Sequence, residues 1–434
     1  MASTMLKPRI AAAANPSVTR LSPLDRLLRR LLASRLQDLN SGRLTVRDAD
    51  GEKVYGNPDG AFDVRLDIRR PRFYRRVLAG GTLGLGAAYL DGDWECSDLA
   101  GLFRLFISST DDEVAADELE RGSARLLTAL ARIGHYLRAN TRSGSRRNIR
   151  DHYDLGNDLF QTFLDPSLTY SAAVFEHPGA SLEAAQTAKL DRICRKLDLR
   201  PEHHLLEIGT GWGSFAMHAA RHYGCRVTTT TISTEQHALA RERIEAAGLA
   251  DRIELRLDDY RDLDGRYDRL VSIEMIEAVG HEHLGTFFRT CRDRLTRDGR
   301  MLLQVITAGD HYYDSYRRSV DFIQRYVFPG GLCPAPMALA DAIGRNSDLR
   351  MTHVEDLTAD YAETLRRWRE RFAANTAEVL ALGYPERFLR LWDYYLQYCE
   401  AGFAERRIGT LQMLLERPGS TATAIRPVLA DSPA

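Results

Sequence analysis

The sequence predicts an α/β protein, a parallel sheet flanked by helices, with a smaller α+β domain ahead of it. Three observations carry this expectation. From Leu182 onward, apolar strands alternate with amphipathic helices. Gly209, Gly211 and Gly213 join one of those strands to the helix that follows. Upstream, residues 42–68 alternate in short runs punctuated by Asp50-Gly51 and Asp59-Gly60, the pattern of antiparallel strands. The 434 residues are 44% hydrophobic, enough for a sizeable core. The 59 Lys+Arg against 60 Asp+Glu leave a net charge of −1, so no nucleic-acid partner is expected. No apolar run reaches the ~18 residues of a spanning helix. Cys96, Cys194, Cys225, Cys291, Cys333 and Cys399 are scattered singly, which argues against structural zinc, any other metal centre, and a disulfide framework. The start, MASTMLKPRIAAAANPS, lacks the apolar stretch of a secretory signal, so a cytoplasmic protein is expected.

The elements follow in order. Residues 1–20 read as a disordered leader. Leu24, Leu27, Leu28, Leu31, Leu32, Leu36 and Leu39 recur at helical spacing with arginines between them, an amphipathic basic helix. Such a helix either packs on its own domain or meets an anionic membrane surface. A helical region runs from Arg72 to Leu137. The basic, Gly/Ser-containing stretch from Arg138 places a domain boundary near 139–147, separating 21–140 from 141–434. Helix 182–197 then leads to strand 204–209, a helix from 213, strand 225–232, helix 234–247, strands 252–257 and 267–275, helix 281–295 and strand 301–307. The C-terminal third is helical, its aromatics mostly core.

The sharpest local signal is LLEIGTGWGSFA (205–216). Glycines let a strand-to-helix turn approach a ligand with no Cβ in the way, so this turn reads as the site of an adenosine-containing cofactor. The spacing is GxGxG after Glu207, not the dinucleotide fingerprint GxGxxG. It resembles the first motif of class I S-adenosylmethionine methyltransferases, implying their Rossmann-like sheet. Those enzymes carry an acidic ribose-binding residue after the next strand. Here Thr231, Ile232, Ser233 and Gln236 stand there, with Asp259, Tyr260 and Arg261 at the adenine position.

A wider resemblance rests on GLGAAYLDGDW (84–94), NIRDHYDLGNDLFQTFLD (148–165), LTYSAAVF (168–175), LEIGTGWG (206–213), TISTEQ (231–236), DYRDL (259–263), EMIEAVG (274–280), RRSVDFIQRYVFPGG (317–331) and DYAETLRRWRERF (360–372). In order and spacing these resemble the cyclopropane-fatty-acid synthases. The resemblance implies methyl transfer from S-adenosylmethionine to a double bond in an unsaturated acyl chain of a membrane phospholipid. It implies a peripheral enzyme on the inner membrane face and allows a homodimer. Tyr170, Ser171, Glu207, Gly209, Thr210, Gly211, Gly213, Thr231, Ile232, Gln236, Asp259, Tyr260 and Arg261 would bind the cofactor. Glu277 and Tyr361 match active-site residues that, with a cysteine, a histidine and a backbone group, hold bicarbonate as base. Ala172 replaces the cysteine and Gln304 the histidine, while Ile306 keeps the backbone contact. Glu274 is an added carboxylate. EMIEAVG with glutamine resembles the branch making methyl- or methylene-branched acids; a small soluble acceptor is a further alternative.

An alkene attacks a sulfonium methyl only when held in line with it, and the resulting carbocation must be kept from water. Tyr153, Phe175, Tyr316, Phe322, Tyr326 and Phe328 are candidate lining residues, with core packing the competing role for each. Glu274 is expected to replace bicarbonate as base, provided a turn after Met275 brings it beside Glu277. The competing roles for Glu274 are a helix cap and a cofactor contact.

Overall fold

In the computed structural model, residues 20–109 and 156–421 are described. The expected leader, the boundary at 139–147, the basic linker and Tyr153 lie outside these residues. The chain divides into two units: one runs to Arg132 and includes Leu365–Glu405, and the other holds Ile133–Thr364 and the chain from Arg406.

The first unit contains strands β1 (Gly42–Asp48), β2 (Gly51–Gly56), β3 (Phe62–Ile68) and β4 (Trp94–Cys96), ordered β2-β1-β3-β4. The expectation of antiparallel strands over 42–68 is half corrected: β1–β2 is antiparallel, but β1–β3 is parallel. Alternation reports which face is buried, not the direction of the neighbour. The chain after β2 crosses over the start of β1, where a Cβ on Gly60 would lie 2.5 Å from the Gly42 backbone. The basic helix is Pro23–Arg35, ending a turn earlier than the leucine repeat suggested. Ser22 caps it, and Arg26 and Arg29 pair with Asp50 and Asp48. Leu24, Leu27 and Leu31 stay about half exposed (52%, 53% and 50%) along one stripe. In helix Glu386–Ala404, Trp392, Tyr394, Tyr395 and Phe403 are buried, as expected for core aromatics.

The second unit is built on seven strands: β5 (His204–Ile208), β6 (Arg226–Thr230), β7 (Ile253–Arg256), β8 (Tyr267–Ile273), β9 (Leu295–Ala308), β10 (Arg350–Asp356) and β11 (Ile408–Glu416). Their order is β10-β11-β9-β8-β5-β6-β7. Strands β5 to β9 are parallel to one another, as alternating strands and helices require. The sheet is completed at one edge by two antiparallel strands, β11 running antiparallel to β9 and β10 to β11. These two strands come after the helical stretch, where the βαβ rhythm has stopped. Strand β9 starts at Leu295, six residues before the expected 301, within the segment assigned to the preceding helix.

Alternate residues face opposite helical layers. Leu206, Ile208, Met301 and Leu303 pack with Phe287, Phe288 and Leu339. Leu205, Val227, Leu302 and Leu414 pack with Ile193, Phe215 and Ala219. Burying such side chains is worth roughly 1.5–3 kcal/mol each. Among the described residues no helix is long and apolar enough to cross a membrane, and no group of His, Cys, Asp and Glu could hold a metal ion.

Candidate active site

Strand order locates the site. From β5 the chain winds outward to β6 and β7, then returns to β8 on the other side of β5. The crevice beyond the carboxyl ends of β5 and β8 is therefore a topological switch point, where open α/β sheets bind ligands. The glycine turn leaves the end of β5 there, and Glu274 and Glu277 follow the end of β8.

Gly209, Gly211 and Gly213 all have positive φ (104°, 53° and 86°). Gly209 and Thr210 both donate backbone N–H to Thr230 O at 3.0 Å. At Gly211 an added Cβ would meet nothing within 4 Å, so the turn is open on that side to a closely approaching ligand. This suits a nucleoside cofactor lying against backbone. Thr229 donates to the buried Glu207 carboxylate at 2.6 Å; burial pushes Glu207 up to about 8 against that bond and the nearby Lys189. Thr231 donates to Gln236 Oε1 at 2.9 Å, and Ile232 follows it in the same turn. Asp259 is committed to Arg261 at 2.6–3.0 Å, and the guanidinium lies over the Tyr260 ring at 5.5 Å. The Tyr170 ring packs against Phe160 and Phe163. Ser171 Oγ accepts from the fully buried Lys189 at 2.7 Å.

The carboxylates converge because Glu274 adopts a left-handed φ of 49°, rare for a side chain of this kind. Its N–H donates to Gln304 O at 2.8 Å, and a 3-10 turn, Ile276–Ala278, follows. This is the turn the sequence reading required. Glu274 Oε1 accepts from Ala172 N–H at 2.9 Å and Gln304 Nε2 at 2.8 Å; Oε2 accepts from the Tyr361 hydroxyl at 2.7 Å. Helix Leu284–Arg294, which follows β8, starts at His283 with no side-chain cap, so the helix-cap alternative for Glu274 is discarded. Glu277 Oε1 accepts from Ile306 N–H at 2.6 Å, while the buried Oε2 has no hydrogen-bond partner. Burial raises both carboxyls. Three donors and Lys189 oppose this at Glu274, whereas the Glu274 charge lifts Glu277 further, to about 8. The donors around Glu274 therefore favour its charged form, and that charge pushes the two carboxyls apart.

The structure thus brings together Glu274, Glu277, Gln304, Ile306 and Tyr361. Tyr361 contacts Glu274, and Ile306 contacts Glu277. Of the candidate lining residues, Tyr316 is close to this cluster: its hydroxyl accepts from Cys333 N–H at 3.4 Å, and the Cys333 thiol is pushed up by burial and by Glu277. Phe322 and Tyr326 pack as a tilted ring pair at 5.0 Å, with Phe322 fully buried as core packing would have it. Phe175 is fixed through its N–H to Asp360, and Phe328 is partly exposed.

Sequence reasoning missed Lys189, Gln412 and Lys196. One signal was available. Helix Leu182–Lys196 buries Leu182, Ala185, Lys189, Ile193 and Lys196, so two lysines occupy its apolar stripe. Buried charges in such positions need partners.

The sequence model of the family described as mycolic acid cyclopropane synthetase matches residues 140–413. Tuberculostearic acid methyltransferase UfaA1 of Mycobacterium tuberculosis is 39% identical over 379 residues, covering 84% of this chain and 86% of that protein. Cyclopropane-fatty-acyl-phospholipid synthase of Escherichia coli is 37% identical over 366 residues, covering 83% and 89%. Among solved structures, cyclopropane synthase MmaA2 from Mycobacterium tuberculosis superposes with a TM-score of 0.59 at 30% identity, over 62% of this chain and 98% of that one. Mycolic acid cyclopropane synthase CmaA1, complexed with SAH and CTAB, gives 0.59 at 32% identity, over 62% and 98%. Matches of this extent, together with a glycine turn suited to S-adenosylmethionine, show that the chain belongs to the mycolic acid cyclopropane synthetase family of S-adenosylmethionine-dependent C-methyltransferases.

Proposed function

We propose that the enzyme methylates the double bond of an unsaturated acyl chain in membrane phospholipid and closes a cyclopropane ring, with Glu274 as base. The observation that carries this reading is the buried carboxylate pair beside the glycine turn, one member held by three donors. S-adenosylmethionine supplies an electrophilic methyl group. The glycine turn, Glu207, Thr231, Gln236, Tyr260 and Ser171 would hold it, with the Ser171 hydroxyl oriented by Lys189. Methylation leaves a carbocation on the acyl chain, which survives only where water is excluded. Glu274 then takes up the proton lost from the added methyl carbon, and that C–H electron pair closes the ring. Its carboxylate already accepts from Tyr361 and from Gln304, the groups at the tyrosine and histidine positions of a bicarbonate site. An internal carboxylate makes an external anion unnecessary.

A second reading has one specific support: UfaA1, at 39% identity, is a tuberculostearic acid methyltransferase. In that reading a hydride shift precedes loss of a proton from the added methyl group, and the product carries an exocyclic methylene. Membrane contact is part of the proposal. The half-exposed Leu24, Leu27 and Leu31, with exposed Arg30 and Arg35 beside them, suit an anionic lipid surface.

The test is transfer of labelled methyl from S-adenosylmethionine to vesicles of monounsaturated phospholipid, with NMR of the product. Upfield cyclopropane protons support the ring; downfield vinylidene protons select the second reading. Failure to label lipid, with labelling of a soluble acceptor, refutes both. Sedimentation with anionic vesicles at low salt tests the surface contact, and absence of binding refutes it.

A further inference from the structure

Behind Glu274 a chain of buried polar groups crosses the sheet to its far edge. Glu355 on β10, Gln412 on β11 and Gln304 on β9 are direct cross-strand partners in register. Gln304 and Gln412 are fully buried, and so is the Lys196 ammonium, which comes from the helix covering this face. Lys196 Nζ donates to Gln412 Oε1 at 2.7 Å. Gln412 Nε2 donates to Gln304 Oε1 at 2.9 Å. Gln304 Nε2 donates to Glu274 Oε1 at 2.8 Å. At the outer end Lys196 pairs with Glu355, which also receives Arg192 Nε at 2.9 Å.

The direction of every bond in this chain is dictated from one end. An ammonium has donors only, so Gln412 must turn its oxygen towards Lys196 and its NH2 group away. Gln304 must then accept on its oxygen and present its own NH2 to Glu274. The reverse arrangement would face acceptor against acceptor at Glu274 and donor against donor at Lys196, at fully buried positions where such a mismatch is costly.

We propose that Lys196 and Gln412 are positioning residues: through two oriented amides, the Lys196–Glu355 ion pair makes Gln304 a hydrogen-bond donor to Glu274 and so keeps that carboxylate ionised for proton abstraction. The inference rests on the reading of Glu274 as base. Other groups act on Glu274 as well: Glu277 from the 3-10 turn, Lys189 from helix Leu182–Lys196, Cys333 from the segment before helix Pro336–Asn346, and Tyr361 from helix Thr358–Ala374. The variants below leave all four in place.

The experiment is the pH profile of kcat/KM for methyl transfer to monounsaturated vesicles, using the full chain. In Gln412→Glu the new carboxylate pairs with Lys196 and offers Gln304 only acceptors, so Gln304 turns its oxygen to Glu274. The acid limb should move up by about one pH unit, a roughly tenfold loss on that limb, with recovery at higher pH. Lys196→Met should move it the same way by less, and Lys196→Arg should restore the wild-type limb. S-adenosylmethionine affinity should change less than about threefold throughout, a factor worth roughly 0.6 kcal/mol. Should Gln412→Glu fail to fold, Gln412→Met and Lys196→Met carry the same expectation. Folded variants with lower kcat but the wild-type acid limb overturn the proposal, as does Lys196→Arg behaving like Lys196→Met. A wild type that does not methylate lipid would refute the functional reading instead, so the two failures are told apart.

Discussion

Replacing Glu274 by Gln alters the charge at the centre of the site while keeping its shape. The amide oxygen can keep the Ala172 N–H and Gln304 Nε2 bonds at 2.9 and 2.8 Å. The new NH2 then faces the Tyr361 oxygen at 2.7 Å, and a hydroxyl can accept as readily as donate. Each charge-assisted bond that becomes neutral loses about 1 kcal/mol. Relief from burying a carboxylate offsets this, so stability should stay within about 1–2 kcal/mol of wild type. The rate should respond far more. A positioned base contributes about 10²–10⁴-fold, or about 3–5 kcal/mol of barrier. The assay is single-turnover methyl transfer to monounsaturated phospholipid vesicles in CO₂-depleted buffer, with calorimetric S-adenosylmethionine binding alongside. The expected result is a large fall in kcat, cofactor affinity within about threefold, and a wild type indifferent to added bicarbonate. Strong bicarbonate activation of wild type, or a variant retaining more than about a tenth of kcat, would refute Glu274 as base.

Three further outcomes follow from the same geometry. Glu277, raised to about 8 by burial and by Glu274, holds its proton more tightly folded than unfolded; the stability this confers is complete below about pH 4.5 and lost as pH rises towards 8. Glu277→Gln should remove that loss, so its stability relative to wild type should increase between pH 5 and pH 8 by up to a few kcal/mol; parallel denaturant curves at the two pH values would contradict it. Gly209→Ala places a Cβ 3.3 Å from the Met275 side chain at φ +104°, and should cost about 1–3 kcal/mol together with cofactor affinity; an unchanged Tm and unchanged binding would dismiss the tight-turn account. Lys189→Met removes the donor 2.7 Å from Ser171 Oγ and should weaken S-adenosylmethionine binding about tenfold, read by calorimetry, since an unmet buried hydroxyl costs about 1–3 kcal/mol; wild-type affinity would exclude that role.

Local pattern determined much of this protein. The alternation of strands and helices from Leu182, the apolar faces of β5 and β9, and the GxGxG turn with its three positive φ values follow from periodicity and from glycine's freedom, both properties of neighbouring residues. Glu274 and Glu277 were legible as a pair because three positions separate them in one segment. Their division of labour was decided by tertiary structure. Ala172 lies 102 positions from Glu274 and Tyr361 lies 87, and only the packing of a loop and a helix against the end of β8 brings them within hydrogen-bond reach. The antiparallel edge strands, the parallel β1–β3 pair and the run from Glu355 through Gln412 to Gln304 have the same origin. Side-chain alternation marks which face of a strand is buried, but the identity and direction of its neighbour depend on how distant segments cross, and a buried polar group takes its chemistry from that neighbour.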